Sequence, residues 1–161
     1  MSLLGDFDMS EMIWYEGDEC QIKFDKIPAT TEMFPCPNYS DELNKEIVNR
    51  PFLNLKRLVV TLIDYDKCKT YSFIIPKDYT WDGASIPILF WRIIGSKTDP
   101  RFQIPSLIHD VLCENHKYVD NDRYFADRVF ERLLYVAGVP AFKRWMMFHS
   151  VDNFQKFCKW D

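Results

Sequence analysis

At 161 residues, 47% of them apolar and 16% aromatic, the chain is long enough to bury a core and too apolar for disorder. Its net charge of -4, with acids and bases interspersed, lacks the clustered basic face that nucleic-acid binding requires. No stretch approaches the roughly 20 apolar residues of a membrane span.

The start, Met1-Ser-Leu-Leu followed by Asp6, Asp8 and Glu11, does not read as a signal peptide, so a cytoplasmic start is expected. The five cysteines (20, 36, 68, 113, 158) are odd in number and form no Cys-x-x-Cys. They read as reduced, mostly structural thiols.

Residues 1–19 are acidic and read as an irregular arm that could dock through Ile13, Trp14 and Tyr15. The alternation in 20–24 predicts a strand. Residues 28–51 carry Pro28, Pro35, Pro37 and Pro51 and read as a loop insertion with a helical turn at 40–49. Ser40 would cap that turn, with Leu43, Ile47 and Val48 facing inward. The β-branched runs 55–63 and 70–75, separated by the polar segment 64–69, predict a β-hairpin. Pro76 ends its second strand, 79–81 is a short extended return, and Gly83 suits a tight turn.

Helical signals dominate the rest. Pro87 opens a short helix over 88–94, closed by Gly95, and Pro105 opens another over 105–115. Asp120, Asn121 and Asp122 offer caps for a helix from 122 to 137, which Gly138 stops. After Pro140 a last helix runs to 157, with Phe142, Trp145, Met146, His149 and Phe157 near one face. Strands first and helices second define an α+β fold: a small antiparallel sheet, then three or four packed helices. The whole chain, 1–161, is expected to form a single domain.

A polar cluster interrupts this apolar background. Asp82-Gly-Ala-Ser-Ile-Pro87 is followed by Ile108-His109-Asp110 and then by Phe125-Ala126-Asp127. Burying such groups costs several kcal/mol each unless they are paired. His109 and Asp110, being adjacent, point about 100° apart on a helix, which suggests a division of labour. If the two helices pack together, Asp127 would hold one imidazole nitrogen of His109 and leave the other as a general base. Asp110 would then face Asp82 and the Ser85 turn, where two carboxylates and backbone carbonyls could hold a hard cation such as Ca²⁺. Ser85 would support the turn, and Arg123, four residues before Asp127, would form an intrahelical ion pair.

The competing interpretation is a satisfied polar network that only ties loop to helix. His109, Cys113 and His116 share a helix face and form a weaker candidate zinc set, with Cys113 otherwise expected in the core. His149 reads as a core or surface histidine, and Lys143-Arg144 is too short for a nucleic-acid patch.

The pattern of Trp81-Asp82-Gly-Ala-Ser-Ile-Pro87, Ile108-His109-Asp110, Arg123-x-x-Ala126-Asp127-x-x-Phe130 and the Gly138-Val-Pro turn resembles the phage- and prophage-encoded "domain of unknown function 1353" family over roughly 55–155. The resemblance implies a phage or mobile-element origin and brings no established activity. Partners would be other phage proteins or a host protein, and the location the host cytoplasm or the virion.

A local similarity to secreted phospholipases implies that His109 activates water, Asp110 binds Ca²⁺ and Asp127 orients the imidazole. The flanking disulfide cysteines are missing, Leu112-Cys113 stands in place of Cys-Tyr, and only Asp82-Gly-Ala-Ser could substitute for the glycine-rich calcium loop.

Three functional expectations follow. The first is a virion-associated or accessory protein whose cluster is architectural or degenerate. The second is a metal-assisted hydrolase of an ester or amide in the host envelope, with His109 as base. The third is an inhibitor of a host protein, acting through the acidic arm and the aromatic last helix.

Overall fold

A computed structural model describes residues 12–84 and 91–157, with side chains described as far as Val151 and omitted for Trp91. It has the expected α+β architecture. A four-stranded antiparallel sheet has the order β1-β2-β5-β6, built from Met12–Glu16, Cys20–Phe24, Leu58–Asp64 and Lys69–Ile75. A second sheet of three strands, β3-β4-β7, comprises Thr30–Glu32, Phe52–Asn54 and Thr80–Trp81.

The first sheet follows its own alternation. Cys20, Ile22 and Phe24 of β2 and Leu58, Val60 and Leu62 of β5 are all buried, and Ile22 lies opposite Leu62, which lies opposite Tyr71 of β6. Period-two patterning turns each of these sets onto one face.

Three local expectations need correction. Residues 12–16 are a strand, not part of an irregular arm: β1 pairs with β2, and Trp14 packs on Phe24 at 5.3 Å. A register shift between Ile13 and Tyr15 breaks the alternation that would have revealed the strand. The 28–51 segment contains β3 and a nine-residue helix, α1 (Asp41–Asn49), capped by Ser40, whose Oγ accepts from Leu43 N at 3.1 Å. Only Ile47 of its three expected inward residues is buried; Leu43 and Val48 are exposed. The first hairpin strand begins at Leu58 because Phe52–Asn54 is drawn into the other sheet, pairing with β3 and β7.

The helices are α2 (Trp91–Ile94), α3 (Gln103–Glu114), α4 (His116–Val119), α5 (Arg123–Val136) and α6 (Ala141–Phe157). The expected 88–94 helix is described only from Trp91. Pro105 sits in the first turn of α3, where its missing N–H costs no helical bond, and a 3₁₀ turn at Pro100–Phe102 leads into it. Asp122 caps α5, accepting from Phe125 N at 2.7 Å. The stripe expected on α6 is split: Phe142 is 62% and Trp145 60% exposed, while Met146 packs against the core beside the buried Met147 and Val151. The helix is apolar on several sides, so docking onto Phe130 and Leu134 of α5, rather than periodicity, selects the buried face. Among the described residues no helix is long and apolar enough to cross a membrane.

Two apolar clusters result. One joins the large sheet to α3 and α5; the other gathers Ala84, Ile94, Phe102, Phe130 and the buried side of α6. Trp81 links the 80–84 segment to α3: it is fully buried, packs on Phe52 with centroids 5.7 Å apart, and donates from Nε1 to Ser106 Oγ at 2.9 Å.

Gly83, next in this segment, has φ +89, and an added Cβ would lie 2.5 Å from Phe52 Cε2. Gly83→Ala is expected to lower stability by about 1–3 kcal/mol, measured as a fall in the urea midpoint. An unchanged midpoint would mean that the turn relaxes freely.

Candidate functional site

The sequence of α3 sorts itself into two faces. Leu107, Ile108, Val111 and Leu112 enter the sheet-side core. Ser106, His109, Asp110 and Cys113, at i, i+3, i+4 and i+7, line a cavity of about 150 Å³. Asp82, Gly83 and Ala84 form another wall, Phe130 and Val151 an apolar one, and Glu114 completes the lining.

His109 is only 5% exposed and Asp127, on α5, is 0% exposed. His109 Nε2–H donates to Asp127 Oδ1 at 2.7 Å, so the two helices meet through a buried charged hydrogen bond. The imidazole also packs against Phe130, with centroids 5.1 Å apart. The other ring nitrogen, Nδ1, lies 3.9 Å from Asp110 Oδ1. This is a charge contact rather than a hydrogen bond.

Burial alone would lower the pKa of His109, but the Asp110 and Asp127 carboxylates outweigh it and hold the imidazole well above its usual value. Asp110 moves the other way from a normal carboxylate. Burial, reinforced by Asp82, pushes it up to about 7, against the pull of His109. Among the described residues the second oxygens of Asp110 and Asp127 have no hydrogen-bond partner.

Four of the residues singled out from sequence therefore gather at one place: Asp82, His109 and Asp110 at the cavity, and Asp127 directly behind His109. Ser85 lies outside the described residues. Arg123 opens α5 and is half-buried, one turn before Asp127. Asp82 and Asp110 offer two carboxylates, short of the six to eight oxygens Ca²⁺ takes. Among the described residues no group of three or more His, Cys, Asp or Glu side chains is placed to hold a metal, the His109/Cys113/His116 set included.

One lining residue, Ser106, has no counterpart among the candidates expected from sequence, and Cys113, expected as core or as a weaker zinc ligand, has another place. Cys113, expected in the core, lines the cavity with Sγ 3.8 Å from His109 Nδ1 and 3.7 Å from Nε2. Ser106 both accepts from Trp81 and donates to Gln103 O at 3.1 Å, so its hydroxyl is used in fixing the wall. The i, i+3, i+4, i+7 polar spacing from Ser106 to Cys113 was the available signal.

Fold and site together define an α+β domain in which a buried His–Asp pair backs onto a carboxylate-rich cavity. Residues 58–151 match the family model described as "Protein of unknown function (DUF1353)", and the chain belongs to that family. The match includes every cavity residue named above. An uncharacterized protein of Sinorhizobium fredii, y4jT, is 31% identical over 98 residues, covering 56% of this chain and 28% of that protein. The chain thus matches little more than a quarter of that relative's length. No solved structure matches this chain.

Asp110 distinguishes a functional cavity from an architectural one. Its raised folded-state pKa means that the fold binds its proton more tightly than the unfolded chain does. The associated stability is present at low pH and is lost as pH rises from the ordinary carboxylate range through about 7. Asp110→Asn is therefore expected to raise the melting temperature at pH 8, by the equivalent of roughly 1–2 kcal/mol. Asp127→Asn, which breaks the buried bond, should cost about 1–3 kcal/mol. Thermal unfolding of both variants checks this, and a destabilised Asp110→Asn would make that carboxylate a structural support.

Proposed function

We propose that the cavity is a hydrolytic centre for a carbon-centred ester or amide, in which His109 carries the proton and Asp127 orients the imidazole. The supporting observation is the 2.7 Å His109–Asp127 bond immediately behind an open cavity. Because Nε2 is engaged by Asp127, Nδ1 is the edge turned toward Asp110 and available for proton transfer. A base held by a third group is the common arrangement in such catalysis. The lining also favours this bond class. Three carboxyl side chains, Asp82, Asp110 and Glu114, line the cavity and no Lys or Arg is among the described lining residues, whereas phosphoryl transfer relies on cationic clamps. Glu114 is itself paired with Arg50 at 2.8 Å.

Metal assistance by Ca²⁺ would involve Asp82 and Asp110, with further oxygens from water or substrate. The substrate class proposed is an ester or amide of a bacterial envelope. A panel of nitrophenyl esters, nitroanilides, cell-wall fragments and phospholipid vesicles, with and without Ca²⁺, is the test. His109→Gln is expected to lower the rate by about 10²–10⁴-fold. Because His109 must be neutral to accept a proton and its pKa is raised, activity should climb on the alkaline side, above the usual histidine range. A folded His109→Gln protein working at the wild-type rate would sink the reading.

The near-complete burial of His109 and Asp127 favours a second reading, an accessory or virion-associated protein whose cluster is architectural. It predicts copurification with particles, no turnover on any substrate of the panel, and loss of stability in both Asp110→Asn and Asp127→Asn.

A further inference from the structure

We propose that Cys113 is the nucleophile of this centre, so that Cys113, His109 and Asp127 act as a thiol–imidazole–carboxylate triad. The inference rests on the hydrolytic reading and deepens it. Cys113 lies one helical turn after His109 on α3, which places the two side chains on one face of a single rigid element. Its Sγ is 3.7–3.8 Å from the ring nitrogens of His109, within reach for a sulfur hydrogen bond. Nε2 is committed to Asp127, so Nδ1 is the nitrogen that would take the thiol proton. Both Cys113 and His109 line the cavity, while Asp127 stands behind the imidazole in the core. Nucleophile, base and orienting group thus stand in the order that nucleophilic catalysis requires. The one hydroxyl among the described lining residues, that of Ser106, is held between Trp81 and the Gln103 carbonyl.

The chemistry balances with water as the only co-reactant. The Cys113 thiol gives its proton to His109 Nδ1, and Sγ attacks the carbonyl carbon. A C–S bond forms, the C–O or C–N bond breaks, and His109 returns the proton to the leaving alcohol or amine. Water then attacks the thioester and gives a proton to His109. The C–S bond breaks, the acid departs, and Sγ regains its proton.

Two measurements on the full chain test this, with folding of each variant checked by thermal unfolding. In the first, p-nitrophenyl acetate is mixed with the protein, quenched in acid and mapped by peptide mass spectrometry. An acetyl group on Cys113 is expected, absent in Cys113→Ser, with acylation at least about tenfold slower in His109→Gln. In the second, iodoacetamide should label Cys113 at least about tenfold faster in the wild type than in His109→Gln, with solvent-exposed Cys68 reacting equally in both. Full turnover in Cys113→Ala alongside loss in His109→Gln would overturn the proposal and leave a hydrolase that activates water directly. If no ester is turned over and Cys113 labels at the same rate with or without His109, both the proposal and the hydrolytic reading fail.

Discussion

A carboxylate with no solvent contact has to be answered inside the protein, and the partner of Asp127 is His109. Leaving such a charge unpaired costs several kcal/mol, so the bond fixes the rotation of α5 against α3. Once α3 is held in that rotation, the remaining placements follow from helical geometry. Leu107, Ile108, Val111 and Leu112 reach the sheet-side core, while Asp110 and Cys113 have only the cavity to face.

The second constraint comes from the sheet side. Trp81 is buried between Phe52 and α3 and satisfies its indole N–H on Ser106, three residues before His109. One hydrogen bond therefore sets the distance between the 82–84 segment and the imidazole. Gly83 permits the close approach, because its φ and the nearby Phe52 ring exclude a side chain. Asp82 and Asp110 face a common cavity because two separate parts of the core bring their backbones there.

The energetics of the cluster are uneven. His109 with Asp127 is a paired and well-packed group, whereas Asp110 is held largely out of water beside another carboxylate, with its pKa pushed to about 7. A group kept where its charged form is disfavoured adds nothing to stability at alkaline pH. Such groups concentrate where chemistry is done, which separates Asp110 from the capping acids Asp99 and Asp122. Those two carboxyls sit at helix starts with basic partners and have lowered pKa values.

The sequence by itself determined the α+β order, the β5–β6 hairpin, the caps at Ser40 and Asp122, and which polar residues, Asp82, His109, Asp110 and Asp127, needed partners in an apolar setting. Each depends on short-range rules: alternation, capping chemistry, turn residues and the cost of burying charge. What lay beyond it depended on contacts between distant segments. The bulged β1 strand exists because β2 offers it an edge, and β4 joins β3 and β7 through partners up to about 30 residues away. The buried side of α6 was chosen by Phe130 and Leu134, since its own apolar residues point in several directions. Cys113 is the sharpest case. Its spacing from His109 was legible, but only the packing of α5, α6 and the 82–84 segment around α3 left a cavity at that face instead of core.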